Sequence, residues 1–171
     1  MRTLIIALLA FVLASCSTVT SSPSVRIANT DSIVILPIKN LSSTPLAGEQ
    51  VATIAESVLR SRGVSDLATY EAPTDTGLGA LLATSSSDTS ATSWAREAGF
   101  QYALSGTVHE WHYKVGPDKE PTVALSLRLT DVATDRVVWQ ATSAKAGWGF
   151  SSLSTVGQKL VNNLLTKVSV Q

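Results

Sequence analysis

One stretch in the second half of the chain, TVALSLRLTDV, alternates large apolar residues with small or polar ones along its length. Successive side chains of a β-strand point to opposite faces of a sheet, so this stretch is predicted to be a strand with one apolar face. The residues of that face are Val123, Leu125, Leu127 and Leu129. Turn-forming sequences, GPDKEP and DVATD, lie on either side, with strand-forming residues beyond each. The pattern therefore predicts a three-stranded antiparallel meander that packs one face against a core.

Shorter patterns predict the elements before the meander. DSIVILPIKN and SDLATYEA favour strands, and Pro37 marks an edge or the end of the first strand, because proline donates no backbone hydrogen bond. Between them, apolar residues at helical spacing over 51–59 predict a helix. TSWAREAGF predicts a second helix, with Trp94 and Ala98 facing the sheet. The serine-rich stretch before it is predicted to be a loop with one helical turn at Leu78–Ala83.

The last apolar stripe, in residues 151–168, predicts a third helix and completes the order strand, helix, strand, helix, three strands, helix. A chain of 171 residues fits one domain of this kind. The expected fold is α/β (α+β): a single domain that has a mixed sheet with a C-terminal antiparallel meander and about three helices. One face of the meander is then left exposed or available to another subunit.

The first residues of the chain have the pattern of an exported lipoprotein. Arg2 precedes an unbroken apolar run, Leu4–Leu13, which fits a secretion signal and is shorter than the roughly 20 apolar residues that a membrane span needs. The LASC sequence that follows resembles the bacterial lipobox, in which the cysteine is acylated. Cys16 is the only cysteine, and a lone free thiol is unusual in an oxidising compartment. An ordinary cleaved signal with an incidental cysteine is the alternative.

These features divide the chain into three expected segments: a lipoprotein signal peptide at 1–15, a lipidated flexible tether at 16–30 and a periplasmic α/β domain at 31–171. The sequence STVTSSPS is small, polar and interrupted by proline, which is typical of a flexible linker. Ser17 directly after the cysteine favours delivery to the outer membrane. We therefore expect a lipid anchor in the outer membrane, with the domain on its periplasmic face.

Composition and motifs argue against two other classes of function. The formal net charge is zero, without the basic excess of a nucleic-acid-binding protein. The sequence has no phosphate-binding glycine loop, dinucleotide fingerprint or serine-nucleophile motif, so neither an enzyme nor a cofactor is predicted. In HEWH, His109 and His112 would face opposite sides of a strand, which argues against a metal site. Glu110 is the best residue for an alternative interpretation as a hydrolase.

Three aromatic residues are expected to gather at one end of the sheet. Trp111 and Tyr113 share a strand face, and the two chain reversals of the meander bring Trp148 to the same end. Trp148 stands between two glycines. We interpret this segment as flexible, and the glycines leave the tryptophan ring unobstructed. Tryptophan is enriched where an apolar phase meets water, so the group is a candidate contact with a membrane or a protein partner. A small cluster buried under a loop is the alternative.

Acidic residues lie in both turns of the meander, Asp118 and Glu120 in the first turn and Asp131 and Asp135 in the second. Aspartates in turns usually form local hydrogen bonds. Strand direction places the two turns at opposite ends of the sheet. The four carboxylates are therefore not expected to form a single surface.

Two long stretches, SGTVHEWHYKVG and PTVALSLRLTDVATDRVVWQATSAKAGWG, resemble the PelC family of outer-membrane lipoproteins, whose domain is TolB/LpoB-like. The resemblance implies a homo-oligomeric periplasmic ring that works with an outer-membrane porin of the PelB type and guides a cationic polysaccharide outward. It also implies that Trp148 faces the membrane, and it makes Asp118, Glu120, Asp131 and Asp135 candidates for an acidic surface that guides the polymer. An LpoB-like regulatory lipoprotein that binds a cell-envelope enzyme is the alternative.

Overall fold

The computed structural model describes residues 18–71, 87–116, 119–148 and 151–171. This part of the chain contains eight strands and three helices. In chain order they are β1 (Thr18–Ser21), β2 (Val25–Ile27), β3 (Ile33–Asn40), α1 (Ala47–Ser61), β4 (Leu67–Thr69), α2 (Ser87–Glu97), β5 (Tyr102–Tyr113), β6 (Pro121–Asp131), β7 (Arg136–Ala146), α3 (Leu153–Leu165) and β8 (Val168–Val170). The helical turn predicted at Leu78–Ala83 lies outside the described residues.

Six of the strands form one mixed sheet in the order β1-β7-β6-β5-β3-β4, and β2 pairs with β8 in a separate two-stranded sheet. β3 runs parallel to both β4 and β5, whereas β5, β6 and β7 are successive antiparallel neighbours. The structure confirms the predicted single domain with its mixed sheet, its C-terminal meander and its three helices. β1 extends the meander by pairing antiparallel with β7.

The alternating stretch forms β6 and buries the face that its pattern predicts. All four of its apolar side chains are at most 1% exposed. α1 and α3 cover this face, and Val51 of α1 and Leu160 of α3 belong to the same apolar cluster. Full burial of an aliphatic side chain contributes about 1.5–3 kcal/mol. A register slip of one residue would expose the whole set, so this face fixes the pairing of the meander.

The opposite face of the sheet is covered near β3 by α2. This helix buries Ala91 and Ala95 in a second apolar cluster. The prediction that Trp94 and Ala98 face the sheet was wrong, since both are exposed. Trp94 instead packs edge-on against Tyr70, with 5.1 Å between the ring centroids. The small alanines let α2 approach the strands closely, and the larger tryptophan lies beside this contact.

The segment predicted to be a flexible tether, 16–30, is part of the fold from Thr18 onward. β1 pairs with β7 along its whole length, with Thr18 opposite Ala144. β2 then pairs with β8, and Ile27 is buried in the main core. The small polar composition of the segment is typical of a linker, but the edge of β7 offers unpaired backbone groups that the segment satisfies. The tether prediction is therefore corrected for these residues.

Two element boundaries also differ from the sequence prediction. β3 continues beyond Pro37, and its pairing with β5 shifts register between Ile35 and Ile38, so the proline lies where regular pairing is interrupted. The last helix ends at Leu165, and Val168, predicted as its final apolar position, begins β8.

The two ends of the six-stranded sheet present different residues. At one end, which we call the tryptophan end, β5 finishes at Tyr113 and β7 at Ala146. At the other, which we call the aspartate end, β6 finishes at Asp131 and β7 begins at Arg136. Because β1 is antiparallel to β7, it begins at the tryptophan end. No helix in the described residues is long and apolar enough to cross a membrane.

Candidate functional site

The backbone of Trp148 is fixed by hydrogen bonds, whereas its side chain is exposed to solvent. The preceding N–H, from Gly147, donates to Pro121 O at 2.7 Å. Ser151 donates to Trp148 O through its N–H at 3.2 Å and through its hydroxyl at 2.9 Å. The indole is nevertheless 87% exposed. A tryptophan side chain is therefore exposed to solvent at a fixed position of the tryptophan end.

The glycine before this tryptophan is required by packing. A Cβ at Gly147 would lie 2.6 Å from Pro121 Cγ and 2.8 Å from Val156 Cγ2, both too close for carbon atoms. The absence of a side chain lets the end of β7 pass tightly against β6 and α3. The interpretation of Gly147 as part of a flexible step is therefore corrected, and Gly149 lies outside the described residues.

Tyr113 joins the tryptophan end of the sheet to the start of α3. Its hydroxyl oxygen accepts a hydrogen bond at 3.1 Å from the N–H of Leu153, one of the N–H groups that lack a partner within the helix. Ser152 caps the same helix, because its hydroxyl accepts from the N–H of Thr155 at 3.1 Å. The ring of Tyr113 remains partly in solvent. It thus positions the helix start and adds apolar surface at this end.

Trp111 does not belong to this exposed group. It is 1% exposed, and its indole packs against Gly157 of α3. It shares a face of β5 with Tyr113, as predicted, but α3 covers that face at the inner position and leaves only the outer position in contact with water. The expected contact of Trp111 with a membrane or porin is therefore corrected, because the side chain is part of the main core.

Three more exposed apolar side chains lie at the tryptophan end. Val115 is in the β5–β6 turn, and Leu41 and Leu46 are in the β3–α1 loop. This loop is tied to β5, since the Thr44 hydroxyl donates to the Trp111 carbonyl. Sequence reasoning missed all three because they stand in turns, outside any helical or strand period. We call the exposed apolar group of this end the apolar rim: Leu41, Leu46, Tyr113, Val115 and Trp148.

Charged residues stand beside the apolar rim. Lys114 and Lys119 lie in the β5–β6 turn and Lys145 lies near the end of β7. Glu120, one of the acidic candidates, is at this end and pairs with Lys114 at an N–O distance of 3.3 Å. Asp118 lies outside the described residues. The tryptophan end therefore combines apolar side chains with lysines, and its described acidic candidate is paired.

Asp131 and Asp135 lie at the aspartate end, and the separation of the two turns that strand direction predicts is confirmed. The N–H of Thr134 donates to Asp131 Oδ1 at 2.9 Å. Hydrogen bonds from the backbone and side chain of Thr134 are the main reason that the pKa of Asp131 lies below its ordinary value. Asp131 is therefore a carboxylate that stays ionised and is held in place.

A further carboxylate at the aspartate end was not among the sequence candidates. Asp31, in the β2–β3 loop, accepts a hydrogen bond from the N–H of Ala28 at 2.8 Å. Burial, followed by the charges of Asp31 and Asp131, raises the pKa of Tyr102. The fold thus brings the carboxylates of Asp31 and Asp131, which are far apart in the sequence, close to the phenol ring of Tyr102. No sequence pattern links the two aspartates, so sequence reasoning did not predict that they are neighbours.

The two histidines lie on an irregular part of β5. The pairing with β6 shifts register between Val108 and Glu110, and Val108 and Trp111, three residues apart, are both buried in one cluster. A β-bulge inserts an extra residue and interrupts the alternation of faces. The assumption that His109 and His112 point to opposite sides was therefore wrong.

His109 is linked to hydroxyl side chains of the neighbouring strands. Its Nε2 lies 2.9 Å from Ser126 Oγ, which in turn lies 2.9 Å from Thr142 Oγ1, so the three side chains form a chain across β5, β6 and β7. Glu110 is exposed. Among the described residues, no group of three His, Cys, Asp or Glu side chains is placed to hold a metal ion.

The chain is similar to one protein family and to several solved structures. The family model of the peptidoglycan-synthase activator LpoB matches residues 13–144. A variant PelC dodecamer from Paraburkholderia phytofirmans is 33% identical, with 91% of this chain and 100% of that chain covered and a TM-score of 0.79. Another crystal form of the PelC dodecamer is 34% identical, with 89% and 96% covered and a TM-score of 0.75.

A more distant structure shares the fold alone. The lipoprotein GNA1162 from Neisseria meningitidis is 17% identical, with 80% of this chain and 96% of that chain covered and a TM-score of 0.53. No curated protein sequence matches the chain.

Proposed function

Because the chain belongs to the PelC family and to the wider family of LpoB-like lipoproteins, we propose that it is a lipid-anchored subunit of a periplasmic ring. The ring guides a cationic exopolysaccharide to an outer-membrane porin of the PelB type and catalyses no reaction. The observation that carries the proposal is that β1 begins at the same end of the sheet as the exposed Trp148. Lipid anchor and apolar rim are thereby directed to one surface.

The membrane contact follows from the length of the chain before β1. Residues 1–15 act as the signal peptide, and Cys16 becomes the acylated first residue. A residue spans at most about 3.6 Å of extended chain, so Cys16 lies within roughly 7 Å of Thr18. Thr18 pairs with Ala144, two residues before the end of β7. With so little slack, acylation brings the tryptophan end against the lipid.

The composition of the tryptophan end suits a lipid surface. Tryptophan and tyrosine are enriched at membrane–water interfaces because they combine an apolar body with a polar atom. Lys119 and Lys145 lie at the same end, and neither is in an ion pair among the described residues, so their charges favour anionic headgroups. The porin would meet the ring at this same membrane surface.

The aspartate end then points away from the membrane, towards incoming polymer. Asp31 and Asp131 lie together there, and Asp135 follows in the same turn as Asp131. In a ring, each subunit repeats these carboxylates, so modest charges add to a field that attracts a cationic chain. The dodecameric state of the two PelC structures supports this arrangement.

The molar mass in solution tests the ring. The mature chain with Cys16→Ser would be measured by size-exclusion chromatography with light scattering over a range of concentrations. We expect a discrete high oligomer that forms reversibly. A monomer at every concentration, including in the presence of lipid vesicles, would remove the basis for a ring.

The match of the LpoB family model to residues 13–144 supports a second candidate function, the regulation of a cell-envelope enzyme through direct binding. Affinity capture with the lipidated protein distinguishes the two. Recovery of a peptidoglycan synthase without a porin favours regulation, whereas recovery of a PelB-type porin favours export.

A further inference from the structure

A polar groove crosses the face of the sheet opposite to α1 and α3. It has a volume of about 450 Å³, within the range of small-molecule sites. β1 forms one wall and β3 lies at the other side, with β5, β6 and β7 as the floor. One wall of the groove therefore depends on the pairing of the N-terminal segment with β7.

The lining of the groove is cationic and rich in hydroxyl groups. It contains Lys39 and Arg128, seven serine and threonine residues, and no aspartate or glutamate. Among the described residues, the ion pairs of the protein are Arg60 with Glu56 and Lys114 with Glu120, so neither cation of the groove is paired with a carboxylate. Two unpaired cations above a polar floor favour an anionic ligand.

Arg128 is oriented for such a ligand. Its Nε donates to Ser105 Oγ at 2.8 Å, which fixes the plane of the guanidinium group. The two terminal nitrogens have no hydrogen-bond partner among the described residues. They form the planar fork that pairs with both oxygens of a carboxylate or phosphate. A free side chain would lose more entropy on binding than one already held by Ser105.

Lys39 stands across β5 from Arg128. Lys39 pairs with Thr107, and Arg128 pairs with Ser105, two residues away on the same strand. With strands about 4.8 Å apart, both side chains reach the space above β5 from opposite sides. An oxyanion above β5 is therefore within reach of both charges.

The hydroxyl chain of the floor supplies further donors. Thr142, Ser126 and His109 are linked at 2.9 Å per step. When His109 Nε2 carries its proton, it donates to Ser126, Ser126 donates to Thr142, and the Thr142 hydroxyl proton is free to point into the groove. Such groups suit the hydroxyls of a sugar as well as an oxyanion.

We propose that this groove binds an anionic saccharide, with a carboxylate or phosphate held by Arg128 and Lys39 and sugar hydroxyls held by the serine and threonine side chains. The groove is distinct from the path of a cationic polymer, which its charge repels. The protein would thereby hold an acidic envelope glycan on the face of the sheet while its two ends serve the membrane and the exported chain.

Calorimetric titration of the mature Cys16→Ser chain at low ionic strength tests the proposal. The probes are trigalacturonate for the carboxylate, glucose 1-phosphate for the phosphate, maltotriose as the neutral control and fully deacetylated chitotriose, a trimer of glucosamine, as the cationic control. We expect one of the anionic probes to bind and both controls to fail. The stronger anionic probe identifies the oxyanion, and its affinity falls as salt is added.

Substitutions locate the binding. We expect Arg128→Gln to weaken the anionic probe by about tenfold or more, because charge-assisted hydrogen bonds are lost. Lys39→Gln should weaken it less, because a lysine cannot form the two parallel hydrogen bonds that an arginine forms with an oxyanion. Arg136→Gln removes the same charge outside the groove and should leave affinity unchanged.

Three results would overturn the proposal: no binding of either anionic probe, equal affinity for wild type and both groove variants, or equally strong binding of maltotriose or deacetylated chitotriose. Thermal unfolding of each variant shows whether a loss of affinity reflects a loss of fold. The ring is tested by molar mass, so a failure of either experiment leaves the other interpretable.

Discussion

The indole of Trp111 in β5 occupies the space that a side chain at Gly157 of α3 would need. A Cβ on Gly157 would lie 2.8 Å from Cζ3 and 3.0 Å from Cζ2 of the ring. The contact joins the sheet to the helix whose first N–H, from Leu153, donates to the Tyr113 hydroxyl at the tryptophan end. The same short piece of β5 therefore supports the core and positions the surface that carries Trp148.

Gly157→Ala is expected to lower the free energy of unfolding by about 1–3 kcal/mol, because the added methyl overpacks the contact with Trp111. This loss exceeds the roughly 1 kcal/mol that alanine gains over glycine in a helix. Urea denaturation measures the difference. Gln158→Ala, at an exposed position of the same helix, is the control and should change stability by no more than about 0.5 kcal/mol. A more stable Gly157→Ala protein would contradict the packing.

Trp148→Ala and Trp111→Ala are expected to separate function from stability. Trp148 is exposed, so its loss should change the free energy of unfolding by no more than about 0.5 kcal/mol. Trp111 is buried, so its loss should cost about 3–5 kcal/mol. Chemical denaturation of both variants checks these values. A large loss of stability in Trp148→Ala would mark it as a core residue.

For the functional half of this comparison, we expect Trp148→Ala to reduce vesicle binding of the lipidated protein and polysaccharide export by cells. Trp94→Ala removes another exposed tryptophan, on α2, and should leave both unchanged. Co-sedimentation with vesicles and the amount of secreted polymer are the measurements. Equal effects of the two substitutions would argue against a specific contact at the tryptophan end.

Insertion of a Gly-Ser segment between Ser17 and Thr18 is expected to impair export while β1 still pairs with β7. The added slack lets the domain tilt away from the lipid, since flexible linkers lengthen the reach of the anchor without fixing its direction. Secreted polymer and the thermal midpoint would be compared with those of a protein that carries the same segment after Gln171. Normal export with a long insertion would show that the short connection to β1 has no role.

The stability of the protein is expected to fall in acid partly through Asp131. Hydrogen bonds lower the pKa of Asp131 in the folded state, so its contribution is fully present above the unfolded pKa and is lost as the pH falls through the folded pKa. Asp131→Asn should flatten this part of the pH dependence in urea denaturation. Asp135→Asn removes a charge from the same turn without the bond to Thr134, and asparagine tolerates its positive φ of 56°. An equal flattening by both substitutions would mean that general charge repulsion is responsible.

The periodic spacing of apolar residues was sufficient to predict many of the strands and helices of the fold. The alternation in β6 predicted its buried face, because every second side chain of a strand lies on one side of the sheet. The apolar stripe in α3 predicted the burial of Val156, Leu160, Val161 and Leu164, because residues three or four apart share a helix face. β1 and β2 had no such pattern. Both are only three or four residues long, and they form strands because β7 and β8 offer backbone partners, which sequence period does not encode.

For the candidate site, the sequence by itself determined that Trp148 and Tyr113 share one end of the sheet and that the two acidic turns lie at opposite ends, because the order and direction of the strands fix these positions. Only the tertiary structure decided which of the aromatic side chains reach water. Trp111 and Tyr113 occupy the same strand face, yet α3 covers the first and leaves the second partly exposed. Burial depends on what another element places above a residue, and that placement arises from packing between segments far apart in the chain.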